Sequence, residues 1–509
     1  MVVVDGCALY VVCSGAPAPD KPTTDNRQQR TDNKEPTTRP QLRWPNNRLI
    51  PNQYNAMNLK DIKKVYFIGI GGIGMSALAR YFNGRGAEVY GYDKTETLLT
   101  KKLVEEGMDI HYSEDTGRIP EGVDLVVYTP AVPVSHQELV FFRESGIPVR
   151  KRAEVLGIIS RGMKAVAVAG THGKTTTSSI LAYLLRCGGV DCTAFLGGIA
   201  TNFGSNFVEG HSEWVVVEAD EFDRSFLHLS PDIAIILSMD ADHLDIYGDR
   251  ESLLETGFRA FAARLKEGGR LFVHYRWLEE LGRHPAPESF GIDGGDYRSG
   301  NVRVEGGYFT FDYRSPAHRM DGLQLALPGR HNVENATAAL TAALQLGVGE
   351  EAIREGLRTF RGIRRRFEIL YRQGGRAYVD DYAHHPSELE AAIGAARELF
   401  PGKRITGIFQ PHLFSRTRDF ADGFAAALDK LDEILLMEIY PAREMPIEGV
   451  DARWLLGKMK KTDKRLVSKA NLLEEVERSQ PEVLLTLGAG DIDTFREPLI
   501  SYFEKTGAI

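Results

Sequence analysis

Residues 165–177, Ala165-Val166-Ala167-Val168-Ala169-Gly170-Thr171-His172-Gly173-Lys174-Thr175-Thr176-Thr177, read as an apolar strand running into a glycine turn. A helix follows through Ser178-Ser179-Ile180-Leu181-Ala182-Tyr183-Leu184-Leu185. Strand, glycine loop and helix in that order are what a nucleoside triphosphate site requires. Glycine lets backbone N–H groups come close to phosphate oxygens, and the helix N-terminus adds positive potential. Lys174 can reach the outer phosphates and the Thr175 hydroxyl can ligate Mg²⁺. The stretch departs from G-x-x-x-x-G-K-[ST], because Val168 stands where the first glycine would be. An ordinary glycine turn before a helix is the alternative; the Lys-Thr pair in this setting argues against it.

The 509-residue chain is too long for one core, and at ~150 residues per domain it is expected to form about three. Its 43% hydrophobic and 26% charged content is that of an ordinary globular protein. A net charge of −8 excludes general affinity for nucleic acid or anionic membrane, so any phosphate site must be built locally. Cys7, Cys13, Cys187 and Cys192 form no C-x-x-C pair, which fits a reducing, cytoplasmic setting. No run approaches a membrane span, and residues 1–15 lack the basic start of a signal peptide and carry Asp5. Residues 16–56 are rich in Pro, Thr, Asn, Arg and Gln and are expected to be disordered. Met57, directly before the first strand, is read as the natural start.

The expected fold is α/β in three domains after a disordered extension at 1–56. These are an N-terminal Rossmann-like domain (57–160), a central P-loop mononucleotide-binding domain (161–360) and a C-terminal Rossmann-like domain (361–509). In the first, Lys64-Val65-Tyr66-Phe67-Ile68 turns through Gly69-Ile70-Gly71-Gly72-Ile73-Gly74 into a helix, and Asp93 closes the next strand. That is G-x-G-x-x-G in its proper setting, suited to a dinucleotide or another ribose diphosphate, although the fingerprint alone also serves helix packing. In the second, Trp214-Val215-Val216-Val217-Glu218 and Ile233-Ala234-Ile235-Ile236-Leu237-Ser238 are runs of the buried parallel kind, whose carboxyl ends gather ligands. In the third, Ala377 to Asp380, Ile405 to Phe409, Glu433 to Leu436 and Val483 to Leu487 alternate with helices such as Ser387 to Phe400.

Four clusters lie at strand ends. Glu218-Ala219-Asp220-Glu221-Phe222-Asp223 offers carboxylates, of which one or two suffice beside substrate phosphates for Mg²⁺, and Glu218 is the choice. His243, in Asp240-Ala241-Asp242-His243-Leu244-Asp245, is placed to ligate metal or orient phosphate, or to be structural. Asp380 to Pro386 and Gln410 to Arg418 mix Asp, His and Arg, a combination suited to a substrate carboxylate or to a polar surface loop.

Taken together, Gly69 to Ser76, Gly170 to Thr177, Glu218 to Asp223, Asp242 to Asp245, His331-Asn332-Val333-Glu334-Asn335-Ala336 and Asp381 to Pro386 resemble, in order, the Mur ligase family. Its members are ATP-dependent amide-bond formers of bacterial cell-wall synthesis. The likeness runs from about Met57 to the C-terminus. Asp223-Arg224-Ser225-Phe226-Leu227-His228-Leu229 is similar to the branch that adds L-alanine to UDP-N-acetylmuramate.

The resemblance implies that the first domain holds the UDP-sugar, with Gly71, Gly72 and Ser76 at the diphosphate, Asp93 at the uridine end, and Ser225 and His228 completing that site. It implies ATP at Gly170, Thr171, His172, Gly173, Lys174, Thr175 and Thr176. His331, Asn332 and Asn335 would lie near adenine and phosphates, Arg366 against phosphate and Asp381 on the ribose. Lys174, Glu218 and His243 would be catalytic, with Thr175, Glu218 and His243 holding magnesium. Tyr382, His412 and Arg416 match positions for the incoming amino acid. Leu413 and Phe414 stand where many members carry Arg-Tyr, so no arginine contact carries over to position 413. A match to the carbamylated lysine of other members is missing, as in the alanine-adding branch.

The implied reaction is formation of an acyl phosphate on the lactyl carboxylate, attacked by the amine of L-alanine, in peptidoglycan precursor synthesis. No nucleic-acid or membrane partner is expected. A sister ligase adding a recycled tripeptide to the same sugar would share most motifs. A nicotinamide-dependent dehydrogenase would use the first glycine loop only, and a non-catalytic nucleotide-binding regulator would not need Lys174.

Overall fold

The computed structural model describes residues 58–240, 244–282, 286–442 and 444–507. The readings of the 1–56 extension, of Met57, Cys7 and Cys13, and of Asp242 and His243 fall outside the described residues. The described residues form one compact unit.

Three sheets organise it. The first has five parallel strands in the spatial order Asp109–His111, Glu88–Tyr92, Lys64–Ile68, Leu125–Tyr128, Val149–Lys151. The order reverses at Lys64–Ile68, so the crevice at its carboxyl end is the switch point where such sheets bind ligands, and the loop from Gly69 to Gly74 leaves that end. The helix Ile73–Gly84 follows directly.

The second sheet has ten strands. Its parallel centre runs Glu288–Ile292, Arg270–His274, Ile233–Ile236, Lys164–Ala169, Trp214–Ala219, Thr193–Ala200. Lys164–Ala169 sits between Ile233–Ile236 and Trp214–Ala219, so the loop beginning at Gly170 is flanked by both acidic strand ends. All four residues of Ile233–Ile236 are buried, which is why the strand reads as a continuous apolar run. An antiparallel extension, Tyr297–Glu305, Tyr308–Arg314 and Arg319–Leu325, lengthens this sheet at one side and was not foreseen from the sequence. Its first strand alternates buried Tyr297 and Ser299 with the exposed Arg298 and then loses the alternation, and a register shift falls between Gly300 and Arg303. Two-residue periodicity is therefore interrupted where it would have been read.

The third sheet orders Glu368–Gln373, Arg376–Asp381, Val483–Leu487, Ile405–Phe409, Glu433–Met437, Lys464–Val467 and is parallel except at Glu368–Gln373. The expected helix from Ser387 begins one residue earlier, Pro386–Leu399, with proline in its first turn and the His385 side chain accepting the Ser387 N–H as its cap.

One apolar cluster spans the first and second sheets, joining Val65 and Phe67 to Ala165, Val215 and Phe226. The third sheet encloses separate clusters around Val379 and Phe409 and around Tyr378 and Leu435.

Candidate active site

The loop after Lys164–Ala169 closes with Gly173 at φ +82°, the N-cap of the helix Lys174–Cys187. A Cβ at Gly173 would stand 2.4 Å from Asn335 Oδ1, so only glycine permits both this turn and the approach of Asn335. The Lys174 ammonium donates to Gly170 O at 2.7 Å and to both Glu221 carboxylate oxygens at 3.0 and 2.8 Å. Burial opposes its charge, yet Glu221, Asp220 and Glu218 outweigh burial and hold the pKa above the usual lysine value.

Glu218 lies in the strand Trp214–Ala219 and accepts the Gly197 N–H at 2.9 Å. Burial raises its pKa against the pull of Lys174. The nearby Thr175 hydroxyl works against that rise, so Thr175 and Glu218 bring two hard oxygens toward one another. A Cβ at Gly197 would lie 2.3 Å from Glu218 Oε2. Among the described residues no group of three His, Cys, Asp or Glu is gathered to hold a metal. Position 243 is outside them, while Asp240 is tied to Thr171, its N–H donating to Thr171 Oγ1 at 3.2 Å.

On the third-sheet side of the loop opens a cleft of about 440 Å³ lined by residues that include His172, Gly173, Thr176, His331, Asn332, Asn335, Arg366 and Asp381. Many of the residues expected at ATP are thus brought together. Burial pushes the His331 imidazole down to about 4, so it is neutral near pH 7. Burial pushes Asp381 up to about 7 against the influence of Arg366 and of the Phe367 and Ala383 N–H groups, which donate to it at 2.6 and 2.7 Å. Asn332 donates to Pro328 O at 2.6 Å, and Asn335 donates to Asn332 Oδ1 at 3.3 Å.

Glu388, from the helix Pro386–Leu399, also lines this cleft and was missed in the sequence. It lies 3.2 Å from His384 Nδ1, 3.5 Å from His172 Nδ1 and 3.9 Å from Arg366. Burial works against its charge, but His384, His172 and Arg366 together hold it well below the usual carboxylate range. Its only sequence signal is its place one turn into a helix that starts at His385-Pro386.

A second cavity, about 540 Å³, lies between the first glycine loop and the central sheet. Gly72, Thr129, Arg152, Gly197, Glu218 and Ser225 are among its lining residues. Glu218 thus faces this cavity while standing near Thr175 of the triphosphate loop. Arg152, another residue missed in the sequence, opens the helix Arg152–Gly162, and its guanidinium stands against Gly74, where a Cβ would lie 2.9 Å away. Lys151 beside it bonds Asp223 at 2.9 Å. Asp223 and Arg224 both adopt left-handed conformations, φ +51° and +55°, a strained turn of the kind that clusters at functional sites.

The remaining expected residues are placed differently. Gly71 donates its N–H to Asp93 at 2.8 Å, so Asp93 buttresses the glycine loop. Ser76 is fully buried, its hydroxyl donating to Ile73 O at 3.0 Å and accepting from Asn206 at 2.9 Å, and it does not line the cavity. His228 is half-buried, its pKa lowered by burial, and its carbonyl packs on Gly157. Tyr382 and His412 both neighbour the His384 ring, at 5.3 and 6.3 Å between centroids, and Arg416 acts electrostatically on the same imidazole. None of Tyr382, His412 and Arg416 lines either cavity. Leu413, beside them, is held at φ +71°.

With this geometry in view, similarity to known proteins is informative. The sequence matches the Mur ligase family catalytic domain over residues 64–164, the Mur ligase middle domain over 168–343 and the Mur ligase glutamate ligase domain over 365–490. It is 49% identical to the UDP-N-acetylmuramate–L-alanine ligase of Flavobacterium johnsoniae, an alignment covering 86% of this chain and 97% of that one. It is 47% identical to the protein of the same name from Porphyromonas gingivalis, covering 87% and 99%. Among solved structures, the UDP-N-acetylmuramate–alanine ligase of Thermotoga maritima superposes with a TM-score of 0.75 at 30% identity, covering 87% of this chain and 99% of that one. Two glycine loops flanking a shared carboxylate, three sheets in this order and matches along most of the chain agree: the chain belongs to the Mur ligase family.

Proposed function

We propose that this chain joins L-alanine to the lactyl carboxylate of UDP-N-acetylmuramate at the expense of ATP, in peptidoglycan precursor synthesis in the cytoplasm. Relatives at 45–49% identity carry that activity in their names. The observation that carries the mechanism is Glu218, which lines the cavity of the other glycine loop and also stands near Lys174 and Thr175 of the triphosphate loop. The γ-phosphate of ATP and the carboxylate of the sugar would meet there.

Residues 57–160 are assigned to the UDP-sugar, 161–360 to ATP and 361–509 to completing the ATP and amino-acid sites. Gly71, Gly72, Ser76, Asp93, Ser225 and His228 are proposed for the sugar nucleotide, with Arg152 added on its diphosphate. The loop residues Gly170, Thr171, His172, Gly173, Lys174, Thr175 and Thr176, with His331, Asn332, Asn335, Arg366 and Asp381, are proposed for ATP. Tyr382, His412 and Arg416 are proposed for the amino acid.

A carboxylate gives no amide with an amine at neutral pH until it carries a leaving group. Phosphoryl transfer from ATP supplies one, and attack by the amine of L-alanine on the acyl phosphate then expels phosphate. Lys174, held charged, stabilises the negative charge that grows on the transferring oxygens. Thr175 and Glu218 fit Mg²⁺, being nearby hard oxygen donors, and burial, which raises the pKa of Glu218 despite Lys174, is a cost that a bound cation would offset. Bound there with His243, magnesium would supply Lewis-acid stabilisation of phosphate and carboxylate oxygens.

Phosphate release with UDP-N-acetylmuramate and ATP, measured with L-alanine, L-serine, glycine or tripeptide in turn, tests the reading. Turnover dependent on L-alanine is expected. Dependence on tripeptide alone would assign the chain to the recycling reaction instead.

A further inference from the structure

The triphosphate-loop lysine is fully engaged by groups of the protein itself. An ammonium group has three hydrogens to donate. Those of Lys174 meet Gly170 O and both oxygens of Glu221, at 2.7, 3.0 and 2.8 Å. Glu221 is fully buried, so this ion pair is shielded from water. Its backbone is fixed on two sides: its carbonyl accepts the Tyr247 hydroxyl at 2.8 Å and the Arg224 N–H at 3.0 Å. The turn that presents it includes the left-handed pair Asp223 and Arg224 and is closed by the Phe226 N–H on Asp220 O at 2.9 Å. A carboxylate placed this firmly, apart from Thr175 and Glu218, takes two of the three hydrogens that Lys174 has to offer.

We infer that Glu221 is a phosphate surrogate and positioning residue: it aims Lys174 before ATP binds, and ATP must displace at least one of its two bonds to engage the lysine. The inference rests on the ATP reading of the loop. It carries a consequence opposite to that of an ordinary binding residue, because the carboxylate competes with the nucleotide for the lysine and repels its negative charge. Removing the charge should tighten ATP while loosening the lysine needed in the transition state. Binding and turnover therefore move in opposite senses.

The test is calorimetric titration of ATP into the protein without sugar or amino acid, alongside steady-state kinetics, for wild type, Glu221→Gln, Glu221→Asp and Lys174→Met. Glu221→Gln is expected to bind ATP about tenfold more tightly, the order expected for removing one nearby charge in a partly screened site, and to lower kcat about tenfold or more. Glu221→Asp keeps the charge but retreats by a methylene, so it is expected to tighten ATP by a smaller factor, about threefold, and to recover part of kcat. It also carries the test should the glutamine variant fail to fold. A folded glutamine or aspartate variant binding ATP no more tightly than wild type would overturn the inference, since a merely structural role predicts weaker or unchanged binding. If wild type binds no ATP, or Lys174→Met binds it equally well, the ATP reading of the loop fails first, and the two failures are told apart.

Discussion

Gly197 shows how one missing side chain positions the Glu218 carboxylate. Its N–H holds Glu218 at 2.9 Å, and a Cβ added at this position would meet the two Glu218 oxygens at 2.3 and 2.5 Å. Those atoms end a flexible side chain, so Gly197→Ala can be accommodated by swinging the carboxylate aside without breaking the strand. The expected outcome is a protein with near wild-type thermal stability and a kcat lowered about a hundredfold, the scale of losing one preorganised electrostatic group. Melting and phosphate-release assays on the same preparation check it, and full activity would show that Glu218 need not stay where it is. At this scale local motifs were legible in the sequence: Lys174 and Thr175 in the glycine loop, and Glu218 near the end of its strand. The sequence concealed Glu221 as the partner of Lys174, Arg152 beside Gly74 and Glu388 beside His172. These pairings join positions tens to hundreds of residues apart, and no local pattern encodes them.

Among the elements, the decisive joint is between the loop before the helix Lys174–Cys187 and the start of the helix Pro386–Leu399. His172 on the first meets Glu388 on the second, with Asp240, Lys174, His384 and Arg366 around them. Burial acts against a charged His172, but Glu388 and Asp240 outweigh it, so its pKa lies above the ordinary 6.5. A raised histidine pKa contributes stability that is complete below 6.5 and lost as pH rises through the folded value. The lowered pKa of Glu388 contributes stability present above its ordinary 4.5 and lost as pH falls through its folded value. Between about pH 4.5 and 6.5 both are therefore ionised and the bridge is at full strength. The stability difference between wild type and Glu388→Gln, from urea titrations, is expected to be largest near pH 6 and to shrink above neutrality. A difference that grows with pH would remove His172 from the bridge. The parallel strands were legible because burial on both faces leaves continuous apolar runs, as in Ile233–Ile236. The antiparallel extension was not, because its charged residues and register shifts mask the two-residue period.

For the whole molecule, the asymmetry of the cores matters most. The first and second sheets share one apolar cluster, whereas the third sheet keeps its own and meets the cleft largely through polar and charged groups. Tyr81, on the helix Ile73–Gly84, is the clearest rivet of the shared core. It is 7% exposed, and its ring lies 5.5 Å from Phe195 and 6.3 Å from Phe207, which belong to strands of the second sheet. The Arg85 guanidinium sits over the same ring, 3.8 Å from its centroid. Truncating a buried aromatic costs about 3–5 kcal/mol. Since Tyr81 carries no group assigned to substrate, Tyr81→Ala should take most of that loss from the joint between the sheets. Urea unfolding of the variant is then expected to separate into two transitions, the earlier one followed by fluorescence changes near the first glycine loop, with sugar-nucleotide binding lost in that phase. ATP binding, which depends on the second and third sheets, should outlast it. A single transition shifted as a whole would mean that the first sheet is held by contacts spread well beyond this ring, and that the polar joint to the third sheet is no weaker than the apolar one.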